Sequence, residues 1–250
     1  SSPIFFDCDD YCNIDIDKVE EFLEKNTIFN GKYTINKKNK KKIKAIIIVH
    51  VFGNAVDLIR LIKICKNRNI KIIEDSSESF GTKYKFGKLK NRYSGTIGDI
   101  GCFSFNGNKI VTAGIGGAIV SSNKNYITKS KYLINQAKDR SFDYIHNSVG
   151  YNYRLSNLHS AIGLSQIESI KFILNKKIKI RQQYSKIFKN NKNISLIKTP
   201  EYSINNNWLN VIYFKNVTKK KKLLIYKMLE KNKIFVRKIW QLNHLQAPYK

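Results

Sequence analysis

Long apolar runs are missing from this 250-residue sequence. No stretch reaches the roughly 18 consecutive apolar residues that a membrane-spanning helix needs. The first twenty positions carry acids and no apolar core, so nothing in them reads as a secretory leader. The four cysteines, Cys8, Cys12, Cys65 and Cys102, form no CxxC pair and no Cys/His cluster with zinc spacing. No metal is therefore expected. Cys65 and Cys102 sit in apolar stretches and read as small core residues, in a reducing, cytoplasmic setting. No internal repeat and no Pro-rich or Ser-rich linker is present, and only 3 prolines occur.

Arginine is scarce as well. Of 46 basic residues only 7 are Arg and 39 are Lys, and against 18 acids the formal net charge is +28. Nucleic-acid readers and phosphate clamps lean on Arg, whose planar fork binds two acceptors at once. Lys, Asn and Ile, the residues of A/T-rich codons, fill 104 of the 250 positions. The charge therefore reads as drift of a neutral surface towards Lys, with runs such as Lys37 to Lys44 simply solvated. A nucleic-acid binder stays open as an alternative, to be recognised by steep salt dependence.

What is present is 42% hydrophobic sequence in alternating patterns. Pro3 to Cys8 reads as a buried strand. Asp15 to Asn26 reads as a helix capped by Asp15, with Ile16, Val19, Phe22 and Leu23 on one face. Ile43 to Val51 is a nearly continuous β-branched run, the pattern of a strand covered on both faces. Asp57 to Asn67 reads as a helix and Ile70 to Glu74 as a short strand. Alternation of this kind predicts βαβ units and a mostly parallel sheet. Thr82 to Asn91 reads as an exposed excursion. Asp99 to Phe105 and Gly117 to Ser121 read as strands around a glycine-rich loop, and Tyr126 to Asp139 as a helix. Leu155 to about Lys189 reads as a long helix broken once. Leu209 to Phe214, Lys219 to Lys231 and Ile234 to Trp240 read as a final, separate βαβ block. The expected division is a large domain over 1–169 and a smaller α/β domain over 170–250.

In open α/β sheets the active site lies at the carboxyl ends of the strands. Asp75 follows the strand Ile70 to Glu74, and Glu78 follows at i+3. Lys109 lies 34 residues beyond Asp75, before Gly114, Gly116 and Gly117. Singly these residues say little: an Asp after a strand is more often a cap, and one lysine among 39 means almost nothing. Together they suit pyridoxal phosphate. Its aldehyde needs a lysine amine, its ring nitrogen a buried carboxylate, and its phosphate hydroxyls such as that of Ser104 and backbone N–H groups.

The ordered strings IIEDSSESFGTKYK, GDIGCFSFNGNKI, TAGIGGAIV and GYNYRLSNLHSAIGLSQIE resemble the DegT/StrS-type nucleotide-sugar aminotransferases from about Pro3 to the end. HVFGNAVDL, SFNGNK and WQLNHLQAPY resemble the subgroup that aminates UDP-4-keto-6-deoxy-N-acetylglucosamine. The resemblance implies the type I pyridoxal-phosphate fold: a mostly parallel mixed sheet flanked by helices, plus a small C-terminal α/β domain. It implies that Lys109 forms the Schiff base and moves the proton, and that Asp75 pairs with the ring nitrogen. Glu78 would lie near the ring hydroxyl, Ser104 would bind the phosphate, and Asn106 would lie beside the cofactor. Asn152 would reach the neighbouring subunit's cofactor in a homodimer, Arg154 would approach the sugar nucleotide, and His244 would lie near the substrate. His50 reads as structural. Lys109 argues against the family's dehydratase branch, which has His there. The implied reaction moves an amino group from glutamate onto a 4-keto-6-deoxy sugar nucleotide in amino-sugar and polysaccharide biosynthesis. A 3-aminotransferase on another nucleotide sugar and a non-catalytic fragment stay open. Family members are longer. The loop that grips the phosphate and the ring that stacks on the pyridine would precede Pro3, so a portion of the enzyme is expected.

Overall fold

The computed structural model describes residues 2–140 and 142–249. Helix α1 (Ile16–Asn26) begins where the Asp15 carboxylate accepts the N–H groups of Asp17 and Lys18, and it buries Ile16, Val19 and Leu23. An acceptor at this position satisfies N–H groups that have no partner within the helix. A small antiparallel sheet follows, β1 (Thr27–Phe29), β2 (Thr34–Asn36) and β3 (Lys42–Ile43). Strand β4 (Ala45–Val49) leads to α2 (Leu58–Asn67), capped by Asp57 and burying Leu58, Leu61 and Cys65. Arg60 of α2 pairs with Asp17 and Glu20 of α1 and ties the two helices together. Strand β5 (Lys71–Asp75) returns parallel to β4. The short β6 (Lys83–Tyr84) precedes β7 (Ile100–Ser104) and β8 (Gly117–Val120).

The central sheet has the order β4-β5-β7-β8, with the first two pairings parallel and β7–β8 antiparallel. This is the expected mostly parallel mixed sheet. The register sets Val49 beside Asp75 and Asp75 beside Cys102, so three strands end at one level. Beyond the sheet come α3 (Lys124–Ile134), α4 (Asn157–Glu168) and α5 (Ile170–Phe188). The predicted single break in the long helix falls at Ser169. The chain ends with β9 (Ile194–Leu196), β10 (Ser203–Ile204), β11 (Ile212–Phe214) and α6 (Lys219–Lys231). Among the described residues no helix is long and apolar enough to cross a membrane.

Five expectations need correction. Pro3 to Cys8 forms no strand: Ile4 and Phe5 are exposed, and Cys8 makes only a single bridge to Ile14. Ile234 to Trp240 forms none either, so the last βαβ block is absent. β9 and β11 instead pair antiparallel. A strand exists only against a partner, and neither segment finds one among the described residues. Strand β4 is covered on one face rather than two, with Ile48 at 0% and Ile47 at 63% exposure, because it is an edge of its sheet. The excursion over Thr82 to Asn91 is not wholly exposed. It buries Tyr84 and Leu89, and β6 pairs with β10, far downstream. Helix α3 also stops at Ile134, before a turn in which Gln136 and Ala137 are left-handed. His50 is structural, as read, at 0% exposure.

Candidate active site

The carboxyl ends of β5 and β7 carry Asp75 and Ser104 as their last residues. One Asp75 oxygen accepts the N–H of Ser77 at 3.0 Å. The chain then turns so that Glu78 accepts the N–H of Phe52 at 2.7 Å. Burial pushes the Glu78 carboxyl above its ordinary range, the Phe52 N–H and the Lys109 ammonium pull it back, and the Asp75 carboxylate raises it again. Glu78 thus lies within electrostatic reach of both Asp75 and Lys109.

Lys109 sits in the loop between β7 and β8, where its own N–H donates to the carbonyl of Asn106. The next two residues, Ile110 and Val111, are buried against Trp208. Phe80, Phe105, Ile170, Ile173 and Leu174 pack around them, so the loop is anchored on its C-terminal side. The Lys109 ammonium rests over the ring of Trp208, 4.1 Å from its centroid. Ser104 receives only a long contact from the Asn106 N–H, and Asn106 is exposed.

Phe52 is buried yet left-handed, with φ 55°. That conformation costs a non-glycine residue on the order of 1–3 kcal/mol and persists only where its surroundings impose it. Here Glu78 holds its N–H and Asn205 its carbonyl. Trp240 stacks on its ring, centroids 5.2 Å apart.

Behind the strand ends lies a buried pair that sequence reading did not single out. His50 and Glu74, both fully buried, meet at 2.9 Å. The N–H of Val56 donates to Nδ1 of His50, so the ring proton sits on Nε2 and points at Glu74. Glu74 also accepts the N–H groups of Gly95, Ile97 and Gly98. Burial pushes the Glu74 carboxyl up, but the hydrogen bonds from His50 and from these backbone groups outweigh it and hold it below the ordinary range. A carboxylate inside the apolar string IIED was the available signal.

The remaining predicted residues lie apart. Asn152 and Arg154 are exposed, on a segment whose backbone bridges to Asn135. His244 is exposed, its ring 6.1 Å from that of Phe5. Among the described residues no hydrogen bond joins these three to Asp75, Glu78 or Lys109. Phe52, Asn205, Asn206 and Trp208 were missed. The run Asn205 to Asn207 has the composition of a loop, and Trp208 lies just before the expected strand from Leu209 with nothing in its spacing to mark it.

Over residues 1–250 the chain matches the DegT/DnrJ/EryC1/StrS aminotransferase family. It is 31% identical over 247 residues to the putative pyridoxal phosphate-dependent aminotransferase EpsN of Bacillus subtilis (strain 168), covering 98% of this chain and 59% of that protein. It is 39% identical over 152 residues to GDP-perosamine synthase of Escherichia coli O157:H7, covering 61% of this chain and 40% of that one. It is 34% identical over 200 residues to UDP-4-amino-4,6-dideoxy-N-acetyl-beta-L-altrosamine transaminase of Campylobacter jejuni subsp. jejuni serotype O:23/36 (strain 81-176), covering 79% and 48%. Among solved structures it superposes on Helicobacter pylori PseC, an aminotransferase involved in the biosynthesis of pseudoaminic acid, with a TM-score of 0.82 and 27% identity. That match covers 99% of this chain and 62% of PseC. These matches therefore cover between 40% and 62% of the length of the relatives.

Proposed function

The chain belongs to the DegT/DnrJ/EryC1/StrS aminotransferase family, and on that premise we propose that it carries the reacting lysine of a pyridoxal-phosphate-dependent nucleotide-sugar aminotransferase. The observation that supports this best is the placement of Asp75 at the end of β5 beside β7, with Glu78 within electrostatic reach of both Asp75 and Lys109. When bound, pyridoxal phosphate supplies an electron sink for the carbon that gains or loses the amino group. The residues present fit it. Asp75 uses one oxygen on Ser77 and leaves the other without a protein partner among the described residues, available to hold a proton on a ring nitrogen. The Lys109 amine, resting over the Trp208 ring, would carry a proton to and from the reacting carbon. Ser104 offers a hydroxyl to a phosphate, with Asn106 beside it. Glu78, whose carboxyl burial raises above its ordinary range, suits a ring hydroxyl.

The substrate in this reading is a 4-keto-6-deoxy sugar on UDP, with glutamate as donor, on a cytoplasmic route to amino sugars and polysaccharides. The likeness to GDP-perosamine synthase favours a guanosine nucleotide as the second reading. Residues 170–250 are taken as the smaller domain, with His244 on the sugar side. A homodimer would bring Asn152 and Arg154 to the partner's site. Supporting it, α4 leaves Leu158, Ile162, Leu164 and Ile167 exposed, and Tyr151 and Tyr153 beside them are exposed too.

Lys109→Ala tests the reading. Wild-type chain mixed with pyridoxal phosphate is expected to show a visible absorbance band that borohydride removes, and the variant only the weaker band of its other lysines. An equal band in the variant overturns the assignment of Lys109.

A further inference from the structure

Resting on the reading of Lys109 as the reacting amine, we infer that Asn206 and Trp208 are positioning residues that clasp the Lys109 loop to the Phe52–Glu78 wall of the site. Trp208, at 4% exposure, grips the loop at two adjacent points. Its indole Nε1–H donates to the carbonyl of Asn108 at 2.7 Å, across 100 residues of sequence. Its ring face lies 4.1 Å under the ammonium of Lys109. Indole is the aromatic ring that holds a cation best.

Asn206 fixes Trp208 in turn. Its Oδ1 accepts the Trp208 N–H at 3.0 Å. Both Nδ2 hydrogens are used, on the carbonyls of Glu78 at 2.8 Å and Phe80 at 3.1 Å. Its own N–H donates to the Thr82 hydroxyl. Next to it, Asn205 donates to the carbonyl of Phe52 and to Oδ1 of Asn54. One short segment thereby joins the backbone of Glu78, the turn that carries Phe52 and the loop that carries Lys109. The fit leaves no space to spare. Gly53 is left-handed, and a Cβ there would lie 2.1 Å from Oδ1 of Asn206. Trp240 completes an aromatic row, near-parallel to both Phe52 and Trp208.

A lysine side chain samples many rotamers, and a reaction at its nitrogen gains when few remain to be frozen out. A ring under Nζ and a hydrogen bond at the preceding carbonyl restrict both ends of the side chain. Packing alone would need neither a ring nor an N–H. Methionine fills a buried site adaptably without a ring face, and phenylalanine keeps a face without the donor.

The test uses the chain itself with pyridoxal phosphate and borohydride. The lysine nitrogen bonds to the aldehyde carbon, water leaves, and hydride from borohydride converts the C=N bond to a stable secondary amine. Peptide mass analysis then gives the tag at Lys109 relative to the other 38 lysines. Wild type is expected to favour Lys109. Trp208→Met is expected to lower that preference about tenfold, from loss of the cation–ring contact and the hydrogen bond together. Trp208→Phe is expected to recover most of it, remaining about threefold low from the missing donor. Circular dichroism establishes that the compared chains are folded. Should the methionine chain not fold, the phenylalanine chain decides, and wild-type preference in it overturns the clasp. Preference at Lys109 that is equal in wild type and Trp208→Met overturns the clasp and leaves the aminotransferase reading standing. No preference for Lys109 in wild type overturns both.

Discussion

Helices α2 and α4 are close in length and opposite in their surroundings. In α2 the apolar residues Leu58, Leu61 and Cys65 recur at helical spacing and are all buried. Lys63 and Lys66 lie on the other side. In α4 the apolar residues go round the helix, and only Gly163 is buried, 3.5 Å from Ala113 by the position its Cβ would take. Leu158 and Leu164 stand 70% and 58% exposed. An apolar stripe needs one covering surface and finds it within the chain, in β5 and α1. An apolar helix surface all round needs two, and this chain provides one. The same contrast holds more widely, since α3, α5 and α6 bury no residue fully while α1 buries three. The described residues of this chain thus divide between a part that closes on itself and a part that leaves its apolar surface exposed, which supports the homodimer proposed above.

The largest expected effect breaks the closed part from within. The four donors divide two to each Glu74 oxygen, His50 Nε2 and Gly95 on one and Ile97 and Gly98 on the other, so Glu74→Gln keeps an acceptor for one pair and turns its NH2 on the other. Each buried donor left without its acceptor costs about 1–3 kcal/mol, more where the lost acceptor was charged. Urea unfolding at neutral pH should show that loss. The sign with pH follows from the lowered carboxyl of Glu74, which lies below its ordinary 4.5 in the folded state. Its contribution is present above that ordinary value and is lost as pH falls through the folded one. The wild-type advantage should therefore shrink in acid. A constant gap down to acid unfolding would mean that the pair is held by shape rather than by charge.

A smaller effect sharpens the comparison itself. Leu61→Ala, at a fully buried position, should cost about 2–5 kcal/mol. Leu164→Ala should stay within about 0.5 kcal/mol in dilute, monomeric chain. At concentrations where the chain associates, Leu164→Ala should weaken the association. Sedimentation across a concentration series checks this, and identical behaviour of both chains would remove α4 from the interface.

The sequence was most legible where structure is local. Asp15 and Asp57 cap the helices that their positions announced, and Lys71 to Asp75 and Ile100 to Ser104 are strands close to the expected bounds. It was least legible where a segment depends on a distant one. Pro3 to Cys8 and Ile234 to Trp240 have strand composition and no strand partner among the described residues. Asp75, Glu78 and Lys109 could be connected through resemblance, because their order along the chain carries the signature. Asn206 and Trp208 could not, because a hydrogen bond spanning 100 residues leaves no periodicity to read.

The smallest predicted effect concerns Glu78, at the boundary between the site and the core. Its carboxyl is raised, chiefly by burial, against the pull of the Phe52 N–H and Lys109. A raised acid binds its proton more tightly folded than unfolded. Between its ordinary value of 4.5 and the folded one, the unfolded chain therefore holds fewer protons, and stability falls as pH rises through that window. Glu78→Gln removes the titration and keeps a carbonyl to accept the Phe52 N–H. The two chains should differ least in acid, and the glutamine chain should become the more stable one as pH approaches neutrality. Paired urea titrations at acid and neutral pH give the answer. A wild-type chain that gains on the variant towards neutral pH would mean that the Lys109 ammonium outweighs burial at Glu78. Lys109 would then face the carboxylate side of the site more than the ring of Trp208.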